Sequence, residues 1–196
     1  NFSEVIGQEA VKERLIQMVK EDRLPHALLF CGPEGVGKMA LAMAFASYLL
    51  TNPDGEDNGS IDTTNALAML RKWEHPDLHF SYPTIKRPNM SSDHQPISND
   101  FAQEWHEMIM QGSYFTMNQW MSQMGATTQQ AIITGAESDE LSRVLALKSS
   151  QGGYKVSIIW LPERMNLTSA NKLLKLLEEP PQGTIFLMVC EEPEKL

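Results

Sequence analysis

The sequence predicts an α/β domain of three layers, with a central parallel sheet and helices on both faces, and three observations predict it. Short, nearly continuous apolar runs recur at Ala27–Cys31, Lys155–Trp160 and Thr184–Cys190, as strands covered on both sides must read. Helical patterns separate these runs, which is the alternation expected of strands joined by crossovers rather than hairpins. The first run leads directly into Gly32-Pro33-Glu34-Gly35-Val36-Gly37-Lys38, a Gly-x-x-x-x-Gly-Lys loop lying between a predicted strand and a predicted helix.

The elements follow in order. Val11, Leu15, Met18 and Val19 repeat at helical spacing and predict a helix over 8–22. Ala27–Cys31 is closed by Gly32-Pro33 and reads as a buried strand. From 38 to 50 apolar residues cover most of the helical surface, so this helix is expected to pack on both sides. The stretch 51–134 opens on a polar, turn-rich segment and continues rich in Met and Trp, which predicts an insertion or elaborated region. Within it 78–82 alternates as a strand, 100–110 and Met117–Met124 read as helices, and the Met and Trp side chains are expected to fill core. Thr134 and Glu137 stand at capping-box spacing ahead of Leu141, Val144, Leu145 and Leu147. After Gly152-Gly153 comes the β-branched strand Lys155–Trp160, then a helix over 168–179 carrying Leu173, Leu174, Leu176 and Leu177 and ended by Pro180-Pro181. Thr184–Cys190 is the last strand, and there is no internal repeat.

Composition narrows the class. With 42% hydrophobic and 21% charged residues among 196, disorder, collagen and coiled coil are excluded. The longest apolar run, 39–50, is interrupted by Ser47 and Tyr48 and falls short of the ~20 residues that span a bilayer, so no membrane association is expected. Asn1-Phe2-Ser3-Glu4 predicts no secretory signal. Sixteen basic against twenty-five acidic residues leave a net charge of −9, which repels phosphate backbones and makes DNA binding by this domain alone unexpected. The two cysteines, Cys31 and Cys190, lie in apolar runs and read as free thiols in a cytoplasmic protein.

The glycine loop carries the chemistry. Its glycines let consecutive N–H groups turn inward, the following helix adds positive potential, and the lysine reaches the outer phosphates. Gly32, Pro33, Glu34, Gly35, Val36, Gly37, Lys38 and Met39 are therefore the candidate nucleotide-binding residues. Met39, however, stands where the motif supplies a Ser or Thr hydroxyl to Mg²⁺, and a thioether is a poor ligand for that hard cation. Lys155–Trp160 ends in Trp160 rather than the carboxylate expected beside the metal, and the nearest acid is Glu163. Two missing metal ligands predict a domain with no catalytic residues that does not hydrolyse ATP, its loop binding nucleotide passively or only shaping the fold.

Several motifs then act together: Phe2-Ser3-Glu4-Val5-Ile6-Gly7-Gln8, Leu24-Pro25-His26-Ala27-Leu28-Leu29-Phe30, His75-Pro76-Asp77-Leu78-His79-Phe80, and Ser169-Ala170-Asn171-Lys172-Leu173-Leu174-Lys175-Leu176-Leu177-Glu178-Glu179-Pro180-Pro181. With the glycine loop they resemble the N-terminal ATPase-like domain of bacterial clamp-loader subunits of the AAA+ family, in particular the delta prime branch of DNA polymerase III. The resemblance implies a RecA-like P-loop NTPase fold inside a pentameric hetero-oligomer with delta and gamma/tau subunits, which closes a sliding clamp around primed DNA and serves a DNA-directed DNA polymerase. It implies a rigid stator that does not hydrolyse ATP, with Val5 and Ile6 near the adenine. Thr184–Cys190 becomes the sensor-one strand, with Cys190 and Glu191 where many relatives carry a small polar residue.

The chain departs from the family in having no cysteine over 51–74, where many relatives carry a four-cysteine zinc module, so no zinc is expected. His75 and His79 are read as surface or helix-cap residues rather than ligands. The lid, the oligomerisation domain and the arginine-donating Ser-Arg-Cys motif are expected to lie outside these residues. Two other readings stay open: an active motor subunit of the gamma/tau type that uses Glu163 and water, and a small-metabolite kinase with 51–134 as its lid.

Overall fold

Every residue of the run Lys155–Trp160 is buried, and that is possible only for a strand with neighbours on both edges and helices on both faces. The computed structural model describes residues 8–51, 61–126, 128–147 and 153–196. In it β1 (Ala27–Cys31), β2 (Leu78–Ser81), β3 (Lys155–Trp160) and β4 (Thr184–Cys190) form one parallel sheet in the order β1-β4-β3-β2. The helices are α1 (Glu9–Lys20), α2 (Lys38–Thr51), α3 (Ile61–Arg71), α4 (Ala102–Met110), α5 (Met117–Met124), α6 (Gly135–Ala146) and α7 (Leu167–Glu178).

The two-residue period of the strands sorts their side chains into two cores. Val156, Ile158 and Trp160 of β3 join Ile185, Leu187 and Val189 of β4 in the larger one, with Leu41 and Phe45 of α2 and Trp105 and Trp120 of α4 and α5. Ile159 and Phe186 point the other way, onto Leu141 and Leu145 of α6 and Leu173 of α7. This is the three-layer α/β architecture expected from the sequence. As its composition requires, α2 is buried almost all round, from Lys38 to Ala46 and again at Leu49 and Thr51.

Three expectations need correction. Among the described strands β1 pairs with β4 alone, and Leu29 is 45% exposed and Cys31 is exposed rather than buried. The stretch 51–134, read as an insertion or elaborated region, supplies β2, which pairs with β3. Its segment 52–60 lies outside the described residues. The capping box at α6 is only half made: the Thr134 hydroxyl accepts the Glu137 N–H at 3.2 Å, while the Glu137 carboxylate turns beneath β2 and accepts from Ser81 Oγ at 2.5 Å and the Ser98 N–H at 2.9 Å. The histidines are not surface residues either. His75 is buried, its Nδ1 accepting the Asp77 N–H at 3.0 Å, and His79 Nε2 lies 3.0 Å from the Glu137 carboxylate.

Beside β2 the Trp-rich segment does fill core. Tyr82 stacks on Trp105 with ring centroids 4.0 Å apart, Trp120 meets both edge-on at 5.1 and 5.2 Å, and the Trp120 indole N–H donates to the Pro83 carbonyl at 2.7 Å. No helix among the described residues is long and apolar enough to cross a membrane, and no group of three or more potential metal ligands occurs among them.

Candidate functional site

The glycine loop sits at the carboxyl end of β1 and opens into α2, so the first amides of a 14-residue helix face the loop. Gly37 has φ +82°, a conformation that disfavours a side chain, and the space beside it is taken: the Tyr114 hydroxyl lies 3.1 Å and its ring edge 3.3 Å from where a Cβ would stand. Lys38 is buried and does not reach outward. Its ammonium donates to the carbonyls of Gly32 and, at 2.8 Å, Pro33, closing the loop upon itself. Gln8 holds the loop from outside by donating to the Val36 carbonyl.

Glu34, Gly35, Gly37, Lys38 and Met39 line one cavity together with Trp160, Val189, Glu191 and residues 113–116. The cavity holds about 180 Å³, below the ~300–1,000 Å³ of typical small-molecule sites. Met39 and Trp160, predicted from opposite ends of the sequence to flank the metal position, are both buried here. Trp160 packs against Trp105 at 5.5 Å and Phe115 at 5.2 Å, so the strand end that would carry a metal ligand carries part of an aromatic cluster. Val5 and Ile6 lie outside the described residues.

Acids surround the lysine. Burial pushes the Glu191 carboxyl above its usual range, Glu34 and Glu163 add to the rise, and the Lys38 charge opposes it. Glu163, the nearest acid to the strand end, is tied elsewhere: one of its oxygens accepts the N–H groups of Glu191 and Glu192, both at 2.9 Å. Beside it the buried Cys190 thiol is pushed up to about 12, chiefly by burial and then by Glu163, so it is a proton-holding thiol rather than a sensor hydroxyl. A magnesium triphosphate does not fit this arrangement. The hydroxyl ligand is replaced by a thioether, the lysine is folded back onto loop carbonyls, and aromatic side chains occupy the approach.

The structure brings the loop, Met39 and Trp160 to one cavity, together with Glu191, which entered only through the family resemblance; sequence reasoning supplied no more of the lining. It missed Tyr114 and Phe115, whose one local signal is an aromatic pair in the short connection between two helices.

The comparisons with known proteins agree on one family. A sequence-family profile described as DNA polymerase III, delta subunit, matches residues 7–196. The chain is 25% identical over 192 residues to DNA polymerase III subunit delta' of Bacillus subtilis, covering 96% of this chain and 43% of that one. To the delta' subunit of Pseudomonas aeruginosa it is 28% identical over 171 residues, covering 87% and 39%. It is also 25% identical over 201 aligned positions to the tau/gamma subunit of Haemophilus influenzae, covering 100% and 22%. The chain therefore spans less than half the length of these relatives.

Proposed function

The chain belongs to the DNA polymerase III delta subunit family, and from that we propose that it is the AAA+ domain of a delta prime type stator in a bacterial replicative clamp loader. It would work in the cytoplasm beside delta and gamma/tau subunits, helping to set the sliding clamp on primed DNA, and would not hydrolyse ATP itself. The observation that carries the reading is the pairing of a family match over nearly the whole chain with Met39 and Trp160 in one cavity. A sheet packed on both faces also suits a part against which other subunits move.

A motor subunit of the gamma/tau type is the second reading, favoured by the match to the Haemophilus influenzae subunit along the whole chain. Glu163 offers at most one oxygen to such a role, since the other accepts two backbone N–H groups after β4. The small-metabolite kinase is disfavoured by the family match over residues 7–196.

Two measurements test the proposal. Native co-purification of the full-length protein should bring down clamp-loader subunits, and an eluate without them overturns the assembly. Phosphate release with Mg²⁺ should stay at the blank, and turnover on the order of one per second that disappears in Lys38→Ala overturns the non-hydrolytic assignment.

A further inference from the structure

Loss of the two metal ligands explains an absence of hydrolysis but leaves open a metal-free mode of binding, in which the α2 amides and Lys38 still hold a polyphosphate. We propose that the 113–116 connection between α4 and α5 closes this second route: it is a built-in stopper in which Tyr114 and Phe115 hold the phosphate position of the glycine loop and exclude nucleotide. The inference rests on reading the loop as a degenerate phosphate site. It does not depend on which assembly the chain joins.

The connection is fixed at its far end and in its middle. Thr116 caps α5, its hydroxyl accepting the Gln119 N–H at 3.1 Å while the Gln119 side chain accepts the Thr116 N–H at 2.7 Å. Phe115 is gripped edge-on by Trp105 at 5.4 Å and Trp160 at 5.2 Å, residues of α4 and β3. With those two points set, Tyr114 is placed over Gly37, its hydroxyl 3.1 Å from the Cβ position. A phosphate on the loop needs that space. It also needs Lys38, whose ammonium is bonded to the carbonyls of Gly32 and Pro33. Glu34 and Glu191 on the cavity wall add like charge against an incoming polyanion.

Trp160 thus has two effects through one side chain. It replaces the carboxylate beside the metal, and it grips the ring that carries Tyr114 into place. Tyr114 itself is 48% exposed, so truncating it opens the loop without removing a core residue.

The test is calorimetric titration of inorganic tripolyphosphate, and separately of ATP, without Mg²⁺, into the wild-type protein and into Tyr114→Ala, Tyr114→Ala/Phe115→Ala and Tyr114→Ala/Lys38→Ala. Tripolyphosphate has no base, so it reports the phosphate position alone. The wild type should give no saturable binding at millimolar ligand. Tyr114→Ala should bind at least about tenfold tighter, and the added Lys38→Ala should abolish the gain. Should the double aromatic variant fail to fold, Tyr114→Ala still decides, its fold checked by circular dichroism. Lys38-dependent binding to the wild type that Tyr114→Ala does not improve overturns the stopper, and so does a folded Tyr114→Ala with no gain. Lys38-dependent turnover of ATP would instead refute the non-hydrolytic reading, so the two failures are separable.

Discussion

Glu137 places a carboxylate where only 2% of the residue reaches solvent, and the fold answers it with donors from Ser81, Ser98 and the His79 ring. Removing a buried acceptor strands each donor, so Glu137→Ala should cost about 3 kcal/mol in chemical denaturation, while Glu137→Gln, which keeps one oxygen, should cost less. His75 should make stability depend on pH. Burial holds its imidazole below the usual range, the Asp77 charge only partly opposing this, and Nδ1 must stay unprotonated to accept the Asp77 N–H. The unfolded chain therefore takes up the proton first as pH falls through about 6.5. The contribution of His75 is complete above that value and is lost as pH drops toward the lower folded one. Denaturation midpoints should fall between about pH 7.5 and pH 5, less steeply in His75→Asn, whose side chain can still accept that N–H. At this scale Met39 and Trp160 were legible because each stands at a fixed offset from a motif or strand end. Tyr114 was not, because its contact with Gly37 joins parts of the chain far apart in sequence and leaves no periodicity to read.

Between α6 and α7 there is little room at Gly135, the first residue of α6, where an added Cβ would lie 2.8 Å from the Thr168 methyl. Alanine is the better helix former, yet Gly135→Ala should destabilise by about 1 kcal/mol through overpacking, and Thr168→Ser, which removes that methyl, should restore the loss in a double-mutant cycle. Elements themselves were largely readable. The apolar runs of β1, β3 and β4 and the helical periods of α1, α2 and α7 were found within a residue or two, because local pattern and tertiary burial agree there. Disagreement came where neighbours decide: the run of β1 looks like that of a strand covered all round, but among the described strands it has one partner, and a linear pattern does not give strand order. Glu137 likewise has the right spacing for a capping box but is drawn away by Ser81 and Ser98.

As a whole the molecule carries a charge of −9, and counterion release gives it little to gain from a phosphate backbone. Fluorescence anisotropy with a primed duplex at ~0.15 M salt should show no submicromolar binding by this chain alone. The sheet order has a further consequence, in time rather than space. Emerging from the ribosome, β1 has none of the described strands to pair with until β4 has been made. At ~5–20 residues per second, the 153 positions from Cys31 to Thr184 take roughly 8–30 s to synthesise. Throughout that interval the glycine loop is anchored on one side only. Nascent chains arrested at Gly183 should therefore be cut by protease within α2, and chains arrested after Cys190 has cleared the exit tunnel should resist. Of the described strands, the one that carries the glycine loop is made first and waits longest for its partner.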